Sequence, residues 1–166
     1  MKTLIILAGI ALFVIPAHAQ LGSVRLEVRP VAKTETSGKT HDTKSQSRSL
    51  AITLQNMSKV QMDDLVVKYW FFARNEKTND IHVLKTGERK SSLAPSGKEE
   101  LESEKVESTY TEKHSEVSNG KGKGKPTIKK VEASGDKIAG HAVHVLQAGK
   151  IIAETYSEPS FKDKAH

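Results

Sequence analysis

The chain of 166 residues contains no cysteine. That excludes a disulfide framework, a thiolate nucleophile, a Cys-ligated zinc and an iron–sulfur cluster. Reaction motifs are missing as well. There is no Gly-x-Ser-x-Gly nucleophile elbow and no His-Glu-x-x-His. The glycine- and lysine-rich run 119–126 does not match a phosphate-binding loop, because Pro126 stands where Gly-Lys-Ser/Thr would have to follow. No internal repeat and no convincing helix is visible. Past the first twenty residues no stretch is apolar enough to span a bilayer, which takes about 20 such residues. The expectation is a non-catalytic protein with no cofactor and no resident metal.

What is present begins with an export signal. Lys2 supplies a positive start, and Leu4 to Ile15 form an apolar run. Pro16 breaks it, and Ala17-His18-Ala19 offers small residues at the two positions a signal peptidase reads. Residues 1–19 therefore read as a signal peptide cleaved before Gln20. No cysteine follows the cleavage site, so the pattern is not that of a lipoprotein. The predicted location is periplasmic, outer-surface or secreted. The sequon Asn56-Met57-Ser58 would matter only in a eukaryotic secretory pathway.

Residues 20–160 read as one domain of short strands, and 161–166 as a polar tail. Val24, Leu26 and Val28 alternate with charged residues, and Leu50, Ile52 and Leu54 alternate with Ala51, Thr53 and Gln55. Pro30 limits the first strand or places it at an edge. Between these two strands, Thr34 to Arg48 is polar and reads as a loop. Asp64 to Arg74 is the strongest β segment. Leu65, Val67, Tyr69 and Phe71 take one face, and Val66, Lys68, Trp70 and Phe72 the other. Ile81 to Lys85 reads as a further strand, Gly97 to Val117 as one long or two short edge strands, and Thr127 to Glu132 as a short one. Lys137 to Gln147 and Ile151 to Tyr156 close as a hairpin around Ala148-Gly149. The total of about seven or eight strands predicts an all-β, antiparallel β-sandwich.

Three stretches, Ser49–Met57, Asp64–Arg74 and Gly140–Tyr156, resemble the strands of an immunoglobulin-like or fibronectin type III-like sandwich. Trp70 sits where the buried tryptophan of a third strand is expected in such domains. The inter-sheet disulfide is absent, and no tyrosine opens the Gly140 strand. The pattern also resembles small exported proteins of unassigned function in verrucomicrobial and planctomycete bacteria. Such sandwiches host adhesion, assembly, receptor and carbohydrate-binding roles alike, so the resemblance implies a shape.

Two surfaces are candidates for binding. Lys121, Lys123 and Lys125 alternate with glycines, and Lys129 and Lys130 follow. With a net charge of +6, this loop can attract an anionic glycan or acidic polymer, or simply solvate the surface. No motif points to a specific nucleic acid. Trp70 and Phe72 share a face with Lys68, and an exposed aromatic pair there would stack on sugar rings or a protein. Core packing is the commoner fate of such residues. His141 and His144, three apart, point to opposite faces of a strand, which makes a shared metal site awkward. The leading expectation is an envelope protein making protein–protein contacts, in adhesion or as an accessory of a pilus-like assembly, with strand addition or oligomerisation through sheet edges as the contact mode. The alternative is a glycan- or anionic-polymer-binding module.

Overall fold

The computed structural model describes residues 23–37, 43–118 and 127–166. Among them are ten strands: β1 (Val24–Ser37), β2 (Thr43–Asn56), β3 (Met62–Asn75), β4 (Ile81–Leu93), β5 (Lys98–Glu102), β6 (Val106–Thr111), β7 (His114–Ser118), β8 (Thr127–Val131), β9 (Ser134–Gln147) and β10 (Lys150–Tyr156). A 3-10 turn, Pro159–Lys164, follows. The predicted signal peptide lies outside the described residues. Among those described, no helix is long and apolar enough to cross a membrane.

The strands build an all-β, antiparallel sandwich. One layer is β1–β2 with β5 and β6 both paired to the far edge of β2. The other runs β10–β9–β3–β4. β9 belongs to both layers. Its first residues, Ser134 and Gly135, pair with Thr111 and Tyr110 of β6, and the rest pairs with β3. Gly135 has φ +81° at this crossing, and a Cβ there would run into the Thr109 carbonyl. Only glycine suits both demands.

The alternation read from the sequence sets the core. Leu50, Ile52 and Leu54 of β2 face Leu65, Val67, Tyr69 and Phe71 of β3 and Val143 and Val145 of β9. Burying each such side chain contributes roughly 1.5–3 kcal/mol. The other face of β3 carries a second cluster on the outside of its sheet: Trp70 and Phe72 with Ala142, Phe161 and Ala165. A bulge at Ala139, where Phe72 pairs with Gly140 but Ala73 with Ile138, reverses the alternation of β9. It turns Ile138 into the core and Ala139 towards the outer cluster.

Three expectations need correction. Thr34–Arg48 is strand apart from the stretch 38–42, which is not described. β1 and β2 stay in register from Val24↔Asn56 to Ser37↔Thr43. The ladder is held by backbone pairing and by β6 on the far side of β2, so it needs no apolar alternation. The strand read as Ile81–Lys85 continues to Leu93 for the same reason, paired to β3 along its length. The polar tail is a folded strap. Pro159 sets the first turn, and Phe161 is fully buried against Phe72.

The closing hairpin forms as expected. Its loop residues Ala148 and Gly149 both have positive φ, +48° and +77°, the mark of a type I′ turn whose twist suits the strands.

Candidate functional site

The aromatic face is the first place the sequence points to. Trp70 and Phe72 emerge from β3 on the outside of the sheet, as their spacing predicts. They are not open to solvent. Trp70 is 6% exposed and Phe72 0%. The Phe161 ring stacks on that of Phe72 with centroids 4.5 Å apart, and the His144 ring lies 4.8 Å from Trp70. Gly140 makes the seat, since a Cβ there would overlap Phe161 and the Ser157 hydroxyl. Lys68, on the same face, is half-buried. The pair expected as a sugar- or protein-stacking platform is therefore roofed by the chain's own C-terminus.

A hydrogen-bonded chain ties that roof down. Lys162 in the strap donates to Glu154 Oε1 at 2.9 Å, and the Tyr156 hydroxyl donates to Glu154 Oε2 at 2.9 Å. His144 Nε2 stands 2.8 Å from the same hydroxyl. The phenol has one proton and gives it to Glu154, so His144 must be the donor through Nε2–H. Lys162 and then Tyr156 hold the Glu154 carboxyl below its ordinary range. Burial, together with Glu154, pushes the Tyr156 phenol up to about 12. Burial lowers His144, with Lys162 and Lys68 working the same way against Glu154.

The lysine surface is described only in part. Lys121, Lys123 and Lys125 lie outside the described residues. Lys129 and Lys130 sit on β8, opposite Glu116 and Ser115 of β7. Lys130 is exposed. β7 and β8 form their own two-stranded sheet, separate from the sandwich layers. The structure does not bring Lys130 to the aromatic face.

A third region was not singled out in the sequence. At the end of the sandwich where β2 begins, the space between the layers becomes polar. Glu112 accepts from Lys44 at 2.7 Å and from Lys137 at 3.1 Å. The two ammonium groups lie 5.9 and 5.0 Å from the Tyr110 ring centre, a cation–π arrangement. Gln46 of β2 accepts the backbone N–H of Ile138 at 2.9 Å, linking the layers. Arg48 and His141 lie one rank deeper. Reading Thr34–Arg48 as a loop hid this region, and the every-second-residue series Lys44, Gln46, Arg48, Leu50 was the signal that would have revealed it.

His141 and His144 point to opposite sides of β9, and among the described residues no three metal-binding side chains converge. Asn56 is 1% exposed. Its amide donates to Val60 O at 2.7 Å and Ala94 O at 3.0 Å, and its oxygen accepts from Ser58 N at 2.9 Å. The sequon asparagine is thus a structural staple in the folded chain.

No family model matches the chain, and no curated protein does. Two solved structures are similar in part. One, an X-ray structure of Northeast Structural Genomics Consortium target SoR45, is 14% identical over 70% of this chain and 88% of that one, with a TM-score of 0.36. The other is a crystal structure from Akkermansia muciniphila, a verrucomicrobial bacterium, 16% identical over 85% of this chain and 74% of that one, with a TM-score of 0.38. Scores this low carry no argument about function.

Proposed function

We propose that the chain is an exported, non-catalytic, immunoglobulin-like module that makes protein–protein contacts at the cell envelope through the open edge of β4. The export reading rests on residues 1–19. The immunoglobulin-like reading is supported by the strand order, β1–β2 with β5 and β6 beside β2 in one layer and β10–β9–β3–β4 in the other.

The observation that carries the contact mode is β4 itself. It spans 13 residues and ends its sheet, with β3 on one side and no strand on the other among the described residues. Its register with β3 is continuous from Lys85↔Phe71 to Ser91↔Leu65. An unpaired ladder of that length is a template for an added strand. The other long edge, β1, is interrupted by Pro30, which cannot donate to a partner. Lys85 is already held by Glu104 at 2.8 Å, but Arg89 and Lys90 on β4 outnumber Glu88, so an extended acidic segment is the fitting partner and a second copy of the same edge is disfavoured.

The glycan reading loses its aromatic half, because Trp70 and Phe72 are covered. Its lysine half remains a separate question of charge.

A photo-crosslinking residue placed at exposed Val83 or Arg89, with Lys150 on β10 as control, tests the reading in intact cells. A discrete envelope protein captured from β4 and not from β10 is the expected result. Equal capture from both strands, or capture that disappears only when the lysines at 121, 123, 125, 129 and 130 are changed to Ser, would overturn it.

A further inference from the structure

Gln46 and Ile138 fix how the layers face each other at the polar end. From that contact, β2 and β9 both run towards the apolar core. The next inward residue of β2 is Arg48. On β9 the bulge at Ala139 makes the next inward residue His141, since Ala142 belongs to the outer cluster and Val143 to the core. Arg48 and His141 therefore confront each other across the sandwich, directly above Leu50 and Val143.

Neither has a partner among the described residues. The Arg48 guanidinium, half-buried, makes no ion pair and no side-chain hydrogen bond, and burial alone depresses its pKa. His141 is 7% exposed, and its Nδ1 is fully buried with nothing to bond. The acidic groups at this end are engaged elsewhere. Glu112 holds Lys44 and Lys137. Asp136 accepts from Asn75 at 3.1 Å and lies 3.4 Å from His82 Nε2. Burial and the Arg48 charge keep His141 below its ordinary pKa, so near neutral pH its ring carries one N–H to give.

A half-buried guanidinium with no acceptor among the described residues keeps donors free for a ligand, and its planar fork matches the two oxygens of a carboxylate, sulfate or phosphate. We infer that Arg48 and His141 form an oxyanion-binding site between the two sheets, which takes one such group of an acidic ligand with the Arg48 fork and a ring N–H of His141. This is independent of the β4 edge and of the surface lysines.

Nitrogen-detected NMR of the Arg48 Nε–H and the His141 ring tests it, with the purified protein titrated with sodium sulfate, sodium phosphate or sodium acetate against sodium chloride at equal ionic strength. The expected result is a saturable shift of both side chains with at least one oxyanion, weakened at least tenfold in Arg48→Gln and several-fold in His141→Gln. The preferred anion among the three identifies the ligand chemistry. Should Arg48→Gln not fold, Arg48→Lys keeps the charge but loses the fork, and several-fold weaker binding is expected. Shifts that are linear and the same in chloride, or saturable binding that survives the Arg48 variants, would overturn the site and leave Arg48 as a hydrated cation.

Discussion

The rings of Phe161 and Phe72 lie nearly parallel, 10° apart in tilt, although 89 positions separate them in the chain. This contact makes the C-terminus part of the folded body. Phe161→Ala is expected to cost about 3–5 kcal/mol, the usual range for emptying a buried Phe site. Trp70 is the only tryptophan and lies beneath the same strap, so its emission should shift to the red in the variant. Urea unfolding followed by that emission measures both effects. An unchanged midpoint would mean the strap does not hold the face closed.

Acid should loosen the strap in two stages. Burial lowers His144, which bonds Tyr156 beneath the strap, from 6.5, so the opened chain takes up its proton first. Its contribution is complete above the ordinary histidine range and is lost as pH falls below it. Glu154 is lowered from 4.5 by Lys162 and Tyr156. Its contribution is complete above the ordinary carboxylate range and is lost as pH falls through its lowered value. Trp70 emission against pH should show both stages, and Glu154→Gln should remove the more acidic one from this signal.

Asn56→Ala should destabilise by about 1–3 kcal/mol. It removes the bonds to the Val60 and Ala94 carbonyls and from the Ser58 N–H, each worth roughly 0.5–1.5 kcal/mol net, and water can reach the groups left behind. Thermal unfolding with Asn56→Asp alongside would separate lost donors from a lost shape. The aspartate keeps the acceptor for Ser58 but cannot donate to the carbonyls.

Ala148→Asn should stabilise by about 0.5–1 kcal/mol. Ala148 holds φ +48°, a region where alanine is strained and asparagine is tolerated. The midpoint of chemical unfolding should rise with the slope unchanged.

The sequence made the apolar half of the sandwich legible, because period-two alternation at Leu50–Leu54 and Leu65–Phe71 is the signature of a one-sided sheet face. It also separated Trp70 and Phe72 onto the opposite face. It could not say that Phe161 covers them, since a lone phenylalanine among polar neighbours has no period to betray its direction. The polar half failed for the opposite reason. Lys44 and Gln46 keep the strand rhythm, but their burial is satisfied by Glu112 and the Ile138 N–H rather than by apolar contact, and Arg48 keeps the same rhythm with no partner among the described residues. Local hydropathy cannot register partners 68 and 92 residues away. The bulge at Ala139 was equally invisible, and it decides that Ile138 points inward.

Because the strap follows all ten strands and belongs to neither layer, a cut before Phe161 would display Trp70 and Phe72 on a sandwich that keeps every strand. A sticky aromatic patch of that kind is what quality-control proteases and chaperones recognise. Phe161 and Ala165 are both buried there, so a proteolytic nick or an inserted loop within the strap would unmask the same patch.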